Sequence, residues 1–305
     1  ISNVSHELRT PLTSMIYAIA NMLKGVVGPL SDHAAKYLEM LQGDCKRLLM
    51  TVNDILDLRK IESHTLTLAK TRVPYGRLVR RSAETLAVQA EQKSIDFRIE
   101  TGTGLWFVNC DAQKIERVVL NLVGNATKFT PDGGHVHVSV SQDEARPGFV
   151  CVTVDDDGIG IPKDAVTRVT ERYFTVGDQP SGSGLGLAIS KEIVEMHDGV
   201  LSVESPVPGA DKGTRISFCL PTVEPPMVLI VDDDPDVLRA LDEQIVEHGY
   251  RVLAARGGQE ALELVESESP DIIILDLVLP DIPGRDVIVR LKADSATVRI
   301  PIVVL

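Results

Sequence analysis

No apolar run in this 305-residue sequence approaches the roughly 18 to 20 residues that a membrane-spanning helix needs, and no signal-peptide pattern opens it. These residues are therefore expected to be cytoplasmic. Ile1 already lies inside a helical pattern, so the chain reads as a fragment whose upstream part can still hold a membrane anchor. Basic charge is also in deficit, with a net charge of −13. Binding of nucleic acid by bulk electrostatics is disfavoured. The four cysteines, Cys45, Cys110, Cys151 and Cys219, are far apart and show no metal-ligand spacing. Reduced, mostly buried thiols are expected. No internal repeat and no low-complexity tract is visible, and no Gly-Lys-Ser/Thr follows the one glycine-rich stretch, which excludes a Walker loop.

What is present is enough chain for two or three domains, with ordinary charged and hydrophobic fractions. Its acidity is uneven: from Met227 onward there are 16 acidic and 7 basic residues.

In the first helical pattern Val4, Leu8, Leu12, Met15, Ile19, Met22 and Val26 form one apolar stripe. His6, about 200° around the helix from that stripe, points outward. Glu7 adjoins it, and Pro11 withholds an N–H from the Glu7 carbonyl, which predicts a kink or loosening there. An exposed imidazole beside a carboxylate suits chemistry in trans; an ordinary surface histidine fits the same stretch. Gly25, Gly28 and Pro29 end this helix, and Ser31 or Asp32 caps a second. There Leu38, Leu41, Cys45, Leu48, Val52 and Ile55 make a heptad seam. An antiparallel hairpin of two helices buries too little surface alone, so pairing of two copies into a four-helix bundle is expected.

From about Leu66 to Leu220 strands and helices alternate. Strands are predicted over Leu66–Lys70, Asp96–Glu100, His135–Ser141, Phe149–Asp155, Val200–Ser205 and Thr214–Leu220. Helices are predicted over Tyr75–Lys93, Ala112–Lys128 and Leu185–His197. Together they read as an α/β sandwich with one mixed sheet. A proline-bearing linker over 222–226 leads to a region from Met227 with strands Met227–Val231, Arg251–Ala255, Asp271–Leu275 and Pro301–Leu305. Helices Pro235–His248, Gly258–Glu268 and Asp286–Asp294 separate them, as in a parallel doubly wound sheet.

Three groups of residues can carry chemistry. Asn121, Asn125 and Lys128 share one helix face, where amide oxygens suit Mg²⁺ and an ammonium suits phosphate; a solvated face is the plain alternative. Asp156 ends a strand that runs into Gly158 and Gly160. A carboxylate there can accept from an adenine amino group while the glycines admit a planar base, although an acidic turn reads the same. Gly182, Gly184 and Gly186 then open a helix whose free N–H groups can hold phosphate. The stretch Lys163–Pro180 lies where a nucleotide lid would. Further on, Asp232, Asp233 and Asp276 follow two apolar strands at the edge where open α/β sheets bind ligands. Three clustered carboxylates point to Mg²⁺, and one of them can act as a nucleophile toward a phosphoryl group.

In this order the segments resemble a hybrid sensor histidine kinase over essentially the whole chain. Ser5-His-Glu-Leu-Arg-Thr-Pro-Leu12 looks like the histidine box, Asn121–Phe129 the asparagine box, Asp156–Gly160 and Gly182–Leu187 the two glycine boxes, and Met227–Leu305 a receiver. The resemblance implies a multidomain α and α/β protein. Residues 1–64 would be a dimerisation and phosphoacceptor hairpin, 65–221 an α/β sandwich ATP-binding domain of the Hsp90 and histidine-kinase type, and 227–305 an incomplete flavodoxin-like receiver.

It further implies Mg²⁺·ATP held by Asn121, with Asn125 on the metal, Lys128 near the phosphates, Phe129 against the base and Asp156 on the adenine amino group. Gly158 and Gly160 would shape the base site, Gly182, Gly184, Leu185 and Gly186 would supply backbone donors, and Thr214 would line the adenine pocket. His6 would take the γ-phosphoryl group with Glu7 fixing its tautomer, and Thr10 would orient water for the reverse reaction. Asp276 would receive the group beside Mg²⁺ held by Asp233, Asp232 and the Val278 carbonyl. The implied partners are a second copy, its own or a separate receiver, and a downstream phosphotransfer protein. Two features depart from the family: the lid reads Arg172-Tyr-Phe-Thr175 and is short, and the switch Ser/Thr and lysine of a receiver would lie beyond Leu305. The truncated receiver is expected to bind Mg²⁺ poorly and not to switch. Rival readings are a degenerate kinase serving as scaffold or phosphatase, and a conformational ATPase of the Hsp90 type.

Overall fold

A computed structural model describes residues 2–63, 65–102, 104–176 and 183–305, with the side chains of residues 2–9 outside that description. Helix α1 (Ser2–Leu23) and helix α2 (Asp32–Glu62) form the hairpin. Ser31 caps α2, its Oγ accepting from the Ala34 N–H at 3.3 Å. Pro11 lies inside α1, which runs through it as one helix rather than breaking. Leu12 is buried, whereas Met15, Met22, Leu41, Leu48 and Ile55 are exposed, so part of both predicted seams lies open.

The middle region differs from the sequence expectation at its start. Residues 66–70 form no strand. Strand β1 is Thr71–Pro74, and it pairs antiparallel with β3 (Phe107–Cys110), a strand the alternation did not reveal. The helix expected over Tyr75–Lys93 is two, α3 (Tyr75–Glu84) and α4 (Ala87–Gln92). Strands β2 (Asp96–Glu100), β4 (His135–Gln142), β5 (Phe149–Asp156), β6 (Val200–Glu204) and β7 (Thr214–Val223) complete the sheet. Its order is β1-β3-β7-β5-β4-β2, with β6 also on β7, and β2–β4 is the parallel pair. Because β7 runs on to Val223 to reach β3, the connection to the next region shortens to 224–226.

Helices α5 (Ala112–Phe129) and α6 (Gly186–Met196) cover one face of this sheet. Alternation puts Val150, Val152 and Val154 of β5 under Ile115, Val118, Leu122, Ile189 and Ile193, all buried. Asp111 caps α5 by accepting from the Lys114 N–H, and its own N–H donates to Nε2 of buried His197 at 2.9 Å. His197 thereby joins the start of α5 to the end of α6. At the other end of α5, the Lys93 ammonium donates to the carbonyls of Thr127, Lys128 and Thr130 at 2.9, 3.2 and 2.5 Å. The helix carrying the two asparagines is fixed at both ends.

On the opposite face the side chains of β5 and β7 pair across the strands. Asp155 meets Arg215, Thr153 meets Ser217, and Cys151 meets Cys219. The last two are joined in a disulfide, S–S 2.05 Å, which corrects the expectation that all four thiols are reduced. Sixty-eight residues separate them in the chain, and only strand pairing brings them opposite. Cys45 and Cys110 are free.

The last region is a parallel four-stranded sheet of order β11-β10-β8-β9: β8 (Met227–Val231), β9 (Arg251–Ala255), β10 (Ile272–Leu275) and β11 (Ile302–Val304). Helix α7 (Pro235–Glu247) packs on one face, and α8 (Gly258–Glu268) and α9 (Gly284–Ala293) on the other. Covered on both sides, β8 is buried at every residue, which is why it reads as an unbroken apolar run. Among the described residues no helix is long and apolar enough to cross a membrane.

Candidate nucleotide and phosphoacceptor sites

Asp156 is the last residue of β5. Its side chain is 9% exposed. Desolvation pushes its pKa up to about 6, against the pull of N–H groups from Gly158 and Thr214. The Gly158 N–H reaches Oδ1 at 2.9 Å. No side chain fits at Gly158, because a Cβ there would fall 2.6 Å from the Phe129 carbonyl oxygen and 2.8 Å from Asp156 Oδ1. The start of α6 is equally tight: a Cβ on Gly186 would collide with the Asn121 side chain, whose Nδ2 donates to Ser190 at 3.0 Å.

One cavity of about 1250 Å³ joins these parts, lined among others by Asn121, Asn125, Lys128, Phe129, Asp156, Gly160, Gly184, Gly186 and Thr214. Burial, with the Arg47 charge close by, holds Lys128 below the usual lysine range, and its ammonium stands 4.9 Å from the centre of the Phe129 ring. Leu185 turns its side chain into the core at 1% exposure. Of the expected nucleotide residues, Gly182 lies outside the described residues, as do 177–180 of the lid stretch. The described part of the lid carries Phe174, Thr175 and Val176 to the cavity rim.

The cavity has a wall that sequence reasoning missed. Helix α2 contributes Arg47, Met50, Thr51, Asn53, Asp54 and Asp57 to it. Leu58 of α2 is buried in the core that α5 and α6 form. Arg117 of α5 holds both Asp54 and Asp57, Lys114 reaches Asp57 at 3.3 Å, and Arg172 bridges Glu62 and Glu192 at 2.6 and 3.0 Å. Charges four residues before Asn121 and on the last turns of α2 were the available signal, but nothing in their spacing says that they meet.

The His6 backbone lies in α1, and its side chain and that of Glu7 are outside the described residues. Counting equal lengths back from Leu23 and forward from Asp32 brings His6 level with about Leu49, next to the α2 residues of the cavity wall. Thr10, one turn further on, is exposed.

In the last region Asp232, Asp233 and Asp276 bring carboxylate oxygens within 4.8 Å of one another, at the ends of β8 and β10. Asp232 is buried and accepts from the Asp234 N–H at 2.9 Å; Asp276 Oδ1 accepts from the Val278 N–H at 3.2 Å. Converging oxygens of this kind fit a hard divalent cation. The three are not close to the nucleotide cavity in sequence or sheet: they belong to the other domain.

Residues 1–64 match the His Kinase A (phospho-acceptor) domain, 110–224 the histidine kinase-, DNA gyrase B-, and HSP90-like ATPase, and 228–305 the response regulator receiver domain. The sensor histidine kinase TmoS of Ectopseudomonas mendocina is 33% identical over 351 aligned residues, which take in 100% of this chain and 35% of that protein. The aerobic respiration control sensor protein ArcB of Escherichia coli is 30% identical over 312, covering 94% of this chain and 39% of that protein. The chain thus spans little more than a third of these relatives' length. Among solved structures, full-length ShkA in complex with AMPPNP aligns at a TM-score of 0.59 and 25% identity, over 99% of this chain and 68% of that one. With three matched regions in this order along nearly its whole length, the chain belongs to the hybrid sensor histidine kinases.

Proposed function

We propose that the chain is an ATP-dependent protein-histidine kinase that phosphorylates His6 and passes the phosphoryl group to Asp276. The observation that carries this reading is the single cavity lined by Asn125, Lys128, Asp156, Gly184 and Gly186 together with α2 residues level with His6. Asp156 accepts from the adenine amino group, Lys128 lies by the phosphates, and Asn121 and Asn125 offer amide oxygens to Mg²⁺. Bound there, Mg²⁺ would supply neutralisation of the charge on the transferring group. A His6 ring nitrogen forms the new N–P bond as the bond from the γ-phosphorus to the ADP oxygen breaks. Glu7 accepts from the other ring nitrogen and keeps the attacking one unprotonated. In the second step the Asp276 carboxylate forms an O–P bond while the N–P bond breaks, and the histidine, its other ring nitrogen still protonated, leaves as neutral imidazole. Asp232 and Asp233, with the Val278 carbonyl as a further ligand, would hold a divalent cation that neutralises charge in this step.

Two copies make the working unit. The exposed Met15, Tyr17, Leu41, Leu48 and Ile55 on a two-helix hairpin support a four-helix bundle with a second chain. Incubation with γ-labelled ATP and Mg²⁺ tests the proposal. Acid-labile, alkali-stable label that disappears in His6→Gln is expected, and in Asp276→Asn that label should accumulate. Steady phosphate release without labelled protein would overturn the reading.

A further inference from the structure

The end of the cavity where phosphates would lie is occupied by a carboxylate from the other domain. Asp54 of α2 is 8% exposed, and its carboxylate is held by the Arg117 guanidinium and the Ser183 hydroxyl. The other arm of Arg117 holds Asp57. Arg117 stands one turn before Asn121 and two before Asn125 on α5, and Ser183 directly precedes Gly184. Both partners of Asp54 therefore sit on the two elements read above as the phosphate cradle, and all three residues line its cavity.

A carboxylate and a phosphate oxygen seek the same partners, a guanidinium fork and a hydroxyl donor. They cannot share a partly dry site without repulsion. None of the basic residues of the lid stretch, Lys163, Arg168 and Arg172, lines the cavity, so neutralisation of the terminal phosphate falls to cations elsewhere. Lys114, Arg117 and Lys128 are the cavity cations on the same helix as the two asparagines, and Lys114 already reaches Asp57.

We propose that Asp54 is a built-in competitor of nucleotide: while the ATPase domain is docked on α2, Asp54 occupies Arg117 and Ser183, and a bound triphosphate takes those partners over and frees the domain from α2. Burial raises the pKa of Asp54 against the pull of the Arg117 guanidinium, so burial works against the charged form that makes the pair. Release has a purpose in the geometry. Asp54 is five residues past the level of His6 along α2, roughly 7–8 Å, so a phosphoryl group seated at Arg117 still has that distance to close to reach the histidine. The inference rests on the cavity being the ATP site.

The test uses the full chain with Mg²⁺ and a non-hydrolysable ATP analogue, with adenosine as the phosphate-free probe. In calorimetry, Asp54→Asn should tighten analogue binding about tenfold and leave adenosine binding unchanged, and Arg117→Gln should remove that difference. In the unmodified protein the analogue should speed amide hydrogen exchange over residues 54–62, and adenosine should not. Equal analogue affinity with and without the Asp54 charge, or protection of 54–62 that survives analogue binding, overturns the competitor. Absence of any analogue binding overturns the ATP reading together with it.

Discussion

The Asp156 carboxylate lies directly under the Gly158 backbone, whose N–H donates to Oδ1 at 2.9 Å while the burial of the pair pushes the acid up to about 6. Two opposite pH effects follow. Its folded pKa is above the ordinary 3.8, so the folded state binds the proton more tightly than the unfolded chain does. The stability of the ATPase domain should therefore fall as pH rises from about 4 to 6, by up to roughly 3 kcal/mol. Nucleotide affinity should rise over the same window, because only the ionised acid is a full acceptor for the adenine amino group. Calorimetric melting and ATP titration from pH 4 to 7 check both, and Asp156→Asn should flatten both profiles.

Gly186→Ala places a methyl group on the Asn121 side chain and displaces it from Ser190. At least about a tenfold loss of nucleotide affinity is expected with the fold retained. Gly124→Ala, about a turn and a half before the end of α5, has no atom within 4 Å of the new Cβ and should stabilise the domain by about 0.5–1 kcal/mol. Urea unfolding separates the two variants.

Leu58 belongs to α2 but is 3% exposed in the core of the neighbouring domain. Leu58→Ala should weaken docking of the two by about 2–4 kcal/mol and leave the sheet intact. Faster hydrogen exchange over 54–62, with unchanged exchange in β5, is the expected reading.

Reduction of Cys151–Cys219 should destabilise the ATPase domain by roughly 2–4 kcal/mol, the range for a bridge that closes a loop of this length. Denaturation with and without dithiothreitol measures it, and Cys151→Ser should be insensitive to the reductant.

Asp233→Ala removes one oxygen donor from the acidic triad and should cost about ten- to a hundredfold in Mg²⁺ affinity. Titration of MgCl₂ without nucleotide, monitored by calorimetry, tests this. Unaltered Mg²⁺ binding would remove Asp233 from the proposed ligand set.

Much of the architecture is written in local pattern. Period-2 alternation fixed β4, β5 and β7 to within a residue or two at most boundaries, and the fully apolar Met227–Val231 announced a strand covered on both faces. Ser31 and Asp111 marked helix starts through side-chain oxygens that the first turn needs. The asparagines, the acid at the end of β5 and the glycines of α6 could be picked out because each has a chemistry of its own at a recognisable spacing.

Other features had no local signature. β3 is four residues long and is a strand only because β1 and the far end of β7 pair with it. The Cys151–Cys219 bridge depends on the register of β5 against β7, and register is a property of two strands rather than one. Asp54, Asp57, Arg117 and Leu58 read as unremarkable helix residues in their own segments. They became a wall of the cavity when tertiary packing set the end of α2 against α5 and α6, because burial and ion pairing across domains are decided by which surfaces meet. By itself the sequence determined the order of the domains, the elements that carry the asparagines, glycines and acids, and the helix that carries His6. Only the tertiary structure decided that a carboxylate of α2 pairs with Arg117 in the cavity wall, since short-range propensity acts within a few residues and 63 positions separate Asp54 from Arg117.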